Sequence, residues 1–189
     1  MRRTAVVVAA LLVSTSALVA QTPKIKPEIR PFVGAIIPTG ALRESFADAG
    51  MVGAQLAVEV RPGLHVLGTF AWVPGQDKYG MGLDNVSIYQ YDVGVELGWV
   101  EPFAADWELR PFIGFGMGGR AYAYEASALT DRHCAAGYGA VGTEFQLART
   151  ALRLEARDNF FCYRSPMAGV ASATRNDIGL SLGVAYHLR

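Results

Sequence analysis

The chain has 189 residues, with 17 basic and 17 acidic side chains and therefore no net charge at neutral pH. That length fits one domain, and without a basic face or aromatic-basic interleaving the composition excludes a nucleic-acid reader. Glycine (21 residues) and aromatic side chains (11%) are abundant, whereas lysine after Lys26 occurs at Lys78 alone; a water-soluble β protein covers its outside with charged residues, lysine among them.

Residues 1–20, MRRTAVVVAALLVSTSALVA, have a positive end (Arg2, Arg3), an apolar run (Ala5–Val13) and a small-residue tail (Ser14–Ala20). This is the layout of a secretory signal peptide, with cleavage expected after Ala20 or, alternatively, Ala17. The apolar run is short for a spanning helix. Its removal leaves 15 basic against 17 acidic residues, a net charge of −2. Residues 21–27 then form a short periplasmic leader, and 28–189 the folded domain.

From Glu28 onward the apolar residues recur at every second position, the signature of strands with two unlike faces. Eight segments follow: 28–38, 51–61, 64–73, 86–99, 108–122, 135–147, 151–161 and 176–188. The fourth is the clearest. Tyr89, Tyr91, Val93, Val95, Leu97 and Trp99 alternate with Gln90, Asp92, Gly94, Glu96 and Gly98, giving one bulky apolar wall and one small, charged wall. The third is apolar on both faces. Connections alternate between short (61–63, 100–107, 148–150) and long (38–50, 74–85, 123–134, 162–175), so one end has turns and the other loops.

Two stretches nearly repeat. EIRPFVG (Glu28–Gly34) and ELRPFIG (Glu108–Gly114) lie 80 residues apart, a distance of four strands, so the first and fifth strands start at the same end. Each copy sets an arginine and a phenylalanine on the charged face.

A closed antiparallel barrel can turn either face outward. The charged face here is also the glycine face, and an eight-stranded barrel has an interior just wide enough for side chains, which glycine mixed with long charged residues fills. The charges on that face also balance: Arg30, Arg61, Arg110, Arg120, Arg153 and Arg157 against Glu59, Asp92, Glu96, Glu144, Glu155 and Asp177. Confined charges need partners, and an arginine facing lipid costs about 2–4 kcal/mol at mid-depth. The expected fold is therefore all-β: an eight-stranded antiparallel up-and-down transmembrane barrel, apolar face outward and charged, glycine-rich face inward. Trp99, Phe103, Trp107 and Tyr186 near the turn end, and Trp72, Tyr89 and Tyr91 near the loop end, are placed as two interface girdles.

On this pattern, the signal peptide and the alternating last segment GLSLGVAYHLR, residues 28–188 resemble the small eight-stranded bacterial outer-membrane barrels of the OmpA/OmpX kind. Such barrels typically end in an aromatic residue; this chain ends in Arg189. The resemblance implies a Gram-negative outer-membrane location and a monomer in the bilayer, with both termini in the periplasm.

Chemistry-bearing motifs are few. Gly114–Gly119 and Gly137–Gly142 each spell G-x-G-x-x-G, but no helical period follows either, as a dinucleotide site requires. Asn85-Val86-Ser87 reads as a loop end. Of the histidines, His65, His133 and His187, none has a His-x-Ser pairing, and Asp131, His133 and Cys134 read as incidental loop residues rather than a metal site. No catalytic group, cofactor or metal is expected. Cys134 and Cys162 lie almost opposite across the sixth and seventh strands, and in an oxidising compartment a disulfide is expected between them, although strict alternation puts them on opposite faces. The expected role is structural or surface-interactive, through loops 38–50, 74–85, 123–134 and 162–175, around a filled lumen. The alternatives are a small-solute channel, a lipid-modifying outer-membrane enzyme and a soluble periplasmic ligand-binding barrel.

Overall fold

A computed structural model describes residues 27–44, 46–78, 84–104, 107–124, 132–147, 149–163 and 173–188. The expected signal peptide and all of the leader but Pro27 lie outside them. Eight long strands appear where the alternation runs: β1 (Pro27–Pro38), β2 (Ala49–Arg61), β3 (Leu64–Asp77), β4 (Asp84–Gly98), β6 (Trp107–Tyr124), β7 (Arg132–Leu147), β8 (Thr150–Tyr163) and β9 (Ala173–His187). A four-residue arm, β5 (Glu101–Ala104), lies in the turn between β4 and β6 and pairs with the start of β6.

Each long strand pairs antiparallel with its neighbours. β4 passes directly to β6, and β9 returns to β1, so the sheet closes on itself. Closure pairs the long strands on both sides along the middle of the barrel, which is what lets strands span a bilayer without unpaired backbone facing lipid. Several strands overshoot the sequence segments at the loop end: β3 runs on to Asp77 and β7 starts at Arg132. At the other end the turns are tight, and Gly63 takes a φ of 77° between β2 and β3, a conformation open to glycine at little cost.

The two faces fall as the pattern implies. Val33, Leu56, Val93, Leu97, Ile113, Phe115, Met117, Leu154 and Leu182 face outward and are exposed, while Arg30, Glu96, Arg110, Arg120, Glu144, Arg153 and Asp177 are buried in the lumen. The doubly apolar third segment has a local reason: Leu67 packs inside against Ala57, Tyr138 and Ala140. The repeated heptads also find their explanation. In a ring of eight, β1 and β6 stand on opposite walls. Phe32 is flanked across the ladder by Gly53 and Gly183, and Phe112 by Gly98 and Gly142. A methyl group at Gly53 or Gly142 would overlap the respective ring. The heptad thus sets the same arginine and ring into the lumen from both sides.

Candidate functional site

The most developed arrangement in the molecule is its interior. At the turn end, Glu28 accepts hydrogen bonds from Arg30 (Nε at 2.9 Å, Nη2 at 2.6 Å) and faces His187 and His65, whose Nε2 atoms lie 3.0 and 3.5 Å from Oε1. His65 Nδ1 sits 2.8 Å from Arg110 Nη2. A guanidinium can only donate, so that nitrogen is the acceptor and the ring proton sits on Nε2, toward Glu28.

Above this layer, two glutamates are held by three arginines. Arg110 donates to Glu96 at 2.9 Å and to Glu144 at 2.7 Å, and Arg153 donates to both at 2.5 Å. From the opposite wall Arg30 reaches the same pair at 3.3 and 3.6 Å. The two echoed arginines therefore converge on one pair of carboxylates.

The chain of bonds continues toward the loops. Glu155 accepts from Arg153 (2.7 Å), Arg157 (2.9 Å) and Gln55 (3.3 Å); Arg157 donates on to Asp92 at 2.9 Å. Gln90 donates to Asp92 and Asn159. Arg120 then donates to Gln90 and to both oxygens of Asp177, which also accepts from Asn159. Three of the guanidinium groups lie over lumen rings: Arg153 over Phe112 at 3.7 Å, Arg157 over Tyr138 at 3.9 Å and Arg120 over Phe161 at 4.3 Å. Buried charges are tolerated when paired and hydrogen-bonded; here each charge has a partner of opposite sign, and hydrogen bonds through the neutral Gln90 join the Arg120–Asp177 pair to the rest, with Asp92 Oδ1 and Arg120 Nε left unbonded.

An apolar layer closes the mouth at the loop end. Ile36, Val73, Val86, Ile88, Tyr122 and Phe161 from the walls surround Leu42 and Phe46, which the first loop turns inward. That loop opens with a 3-10 turn, Gly40–Leu42. It is tied to β9 by Thr39, whose N–H and hydroxyl both donate to the Asn176 carbonyl, and to β3 by the Ala47 amide on the Gln76 carbonyl. Below the lid, a void of about 20 Å³ beside Thr69, Gln90, Glu155 and Arg157 has room for about one water molecule.

Most of the anticipated interior charges are brought together: Arg30, Asp92, Glu96, Arg110, Arg120, Glu144, Arg153, Glu155, Arg157 and Asp177 belong to the one network. Glu59 and Arg61 do not. The β2–β3 register shifts between them, so alternation no longer predicts direction there. Glu59 is half-buried and accepts the Gly63 amide, and Arg61 is exposed. Glu28, His65, Gln55, Gln90 and Asn159 are network members that counting balanced charges passed over, although each has the parity of a lumen residue. The lid residues Leu42 and Phe46 gave no periodic signal.

The expected disulfide is absent: Cys134 and Cys162 are both free thiols. Alternation decides it, since Cys134 packs against the apolar lid inside while Cys162 is exposed outside. Trp72, Tyr89, Tyr91, Trp99, Trp107 and Tyr186 all face outward and are exposed; the side chain of Phe103 lies outside the described residues. Asp131 also falls outside them, and among the described residues no group of His, Cys, Asp and Glu is arranged to hold a metal.

A closed barrel with an apolar exterior and a charged interior is the inverse of a soluble protein and defines a transmembrane β-barrel. No family model and no curated protein matches the chain, but solved structures do. Neisserial surface protein A superposes with a TM-score of 0.60 at 11% identity, over 85% of this chain and 96% of that one. The outer membrane protein OprG of Pseudomonas aeruginosa gives 0.57 at 14%, over 87% and 96%. The N-terminal barrel domain of Pseudomonas aeruginosa OprF gives 0.51 at 12%, over 86% and 97%. At such identities the likeness is one of fold, and the chain has the fold of the small eight-stranded outer-membrane barrels.

Proposed function

We propose that the protein is a non-enzymatic, monomeric integral barrel of the bacterial outer membrane, exported by its N-terminal signal peptide, with a structural or surface-contact role in the cell envelope. The carrying observation is the filled interior: ion pairs joined by side-chain amides into one hydrogen-bonded network from Glu28 to Asp177 beneath an apolar lid. A water-filled pore needs a lumen its walls leave open, as 16-stranded porins do; here side chains from all eight walls meet on the axis. The likeness to barrels whose names place them in outer membranes or at a bacterial surface supports the location. Both termini and the tight turns then face the periplasm, the four long loops face outward, and the exposed tryptophans and tyrosines mark the two interfaces. Cell fractionation tests the location: the protein is expected in the outer-membrane fraction with heat-modifiable gel mobility. Planar-bilayer recording tests the role. Purified protein is expected to give no stable conductance, and a large, steady one would overturn the closed-lumen reading.

A further inference from the structure

The wall of the barrel is split at the loop end between β2 and β3, as it is more briefly between β7 and β8 beyond Ala136–Phe161. Pairing between β2 and β3 runs from Arg61–Leu64 to Val52–Trp72 and goes no further, although β2 continues along β1 to Ala49 and β3 along β4 to Asp77. Above Trp72 the two strands diverge, with Asp48–Gly50 on one lip and Pro74–Gln76 on the other. They are tied again where the Ala47 amide donates to the Gln76 carbonyl at 3.3 Å. Between the two ties lies a slot of about 440 Å³, lined among others by Asp48, Trp72, Pro74, Gln76, Asn85 and Ser87. The sequence gives the cause. Pro74 has no N–H to give a ladder and is at home where strands stop pairing, while Gly50 and Gly75 bring no side chain to fill the space.

The chemistry of the slot selects its occupant. Both lips carry backbone N–H and C=O groups outside the β2–β3 ladder, joined by two side-chain amides, a hydroxyl and a carboxylate. An acyl chain would cover the Asp48 carboxylate and the Gln76 side-chain amide while offering neither a hydrogen bond. A phosphate or carboxylate would meet Asp48 with no cationic side chain among the lining residues; Arg43 approaches Asp48 at 3.9 Å from the loop without lining the slot. A hydroxyl both donates and accepts, so a polyhydroxylated ring matches a mixed lining. The Trp72 indole offers it an apolar face: the side chain is exposed, and its Nε1–H is held by the Ser87 hydroxyl at 3.3 Å. The volume is within the range of small-molecule sites.

We infer that the slot between β2 and β3 is a binding site for a neutral, sugar-sized polyol, held by the split strand edges and Asp48 and packed on Trp72. The slot opens at the level of the outer aromatic row, so the polyol has two sources, a glycolipid headgroup or a free saccharide. The inference goes beyond the proposed role and needs the fold alone; its failure would leave the envelope reading standing, and an open pore would leave the slot standing.

The test is amide NMR on the full barrel in phospholipid nanodiscs, titrated with D-glucose in one arm and carrying monoglucosyl diacylglycerol in the other. Expected are saturable shifts confined to Gly50, Gly75, Gln76 and the Trp72 indole, with roughly millimolar half-saturation for the free sugar. Asp48→Asn is expected to weaken binding about tenfold, and Trp72→Leu by a similar factor, both with the rest of the spectrum unchanged. Shifts in the glycolipid arm alone assign the headgroup as the source, and shifts with glucose assign a free saccharide. Absence of saturable shifts in both arms, shifts located elsewhere, or unaltered affinity in both variants would each overturn the inference.

Discussion

The ion pair nearest the loop-end mouth offers the sharpest test of what holds the lumen. Arg120 and Asp177 expose 1% and 2% of their side chains. The guanidinium bonds both carboxylate oxygens and Gln90, and rests on Phe161. Arg120→Met keeps much of the bulk but leaves Asp177 buried with the Asn159 amide as its remaining side-chain partner, and strands the Gln90 oxygen. Breaking a buried pair in this way costs about 3–5 kcal/mol. Asp177→Asn should cost a comparable amount, because the charge left over is then Arg120. Removing both, as Arg120→Met with Asp177→Leu, replaces the pair by apolar groups and should return to within about 2 kcal/mol of the parent. Urea unfolding from phospholipid bilayers, followed by tryptophan fluorescence and heat-modifiable mobility, gives the three values and hence the coupling. A single variant losing less than about 1 kcal/mol, or a double variant losing the sum of the singles, would refute the view that these charges are held by one another.

The remaining predictions concern the two faces and the thiols. Val93 is 63% exposed in the middle of β4, so Val93→Arg should cost about 2–4 kcal/mol in a bilayer, whereas a surface arginine on a soluble barrel would change stability little; the same urea titration distinguishes them. A side chain at Gly94 would overlap the Tyr138 hydroxyl and come within 2.7 Å of the Phe115 carbonyl, so Gly94→Leu should destabilise by about 1–3 kcal/mol, and Tyr138→Ala should partly restore it. Both cysteines should react with maleimide without prior reduction, Cys162 quickly and the lid-packed Cys134 slowly; mass spectrometry showing no modification until a reductant is added would reinstate the bond.

Much of this was legible in the chain because a closed barrel uses a single rule along its whole length. Alternation from Tyr89 to Trp99 gave one wall's orientation, and the matched charges said which face was confined. The echoed heptads pointed to opposite strands, and Arg30 and Arg110 do meet on Glu96 and Glu144. Two of the misses arose where the alternation rule lapses with the pairing, and the cysteine miss arose from setting the rule aside. A register shift beside Glu59 took it and Arg61 out of the network. Counting opposite residues suggested a Cys134–Cys162 bond, but position along a ladder does not bring together side chains on opposite faces. Leu42 and Phe46 belong to a loop, where no period exists to show that they fold inward.

The same division bears on where activity can lie. Along the membrane-spanning length the charged lumen groups are paired: three arginines lie on rings, carboxylates accept from two or three donors, and a small void remains beside Thr69, whose Oγ1 is unbonded, as is Gln55 Oε1. Such packing is what the proposed closed lumen rests on. At the loop end the constraint relaxes. The lid is apolar and tied by a few loop bonds, and the β2–β3 ladder parts above Trp72. Pro74 and the glycines beside it would be poor choices for a wall meant only to be strong. Their presence directly above the paired length of β2 and β3 is the local feature on which the proposed polyol site rests.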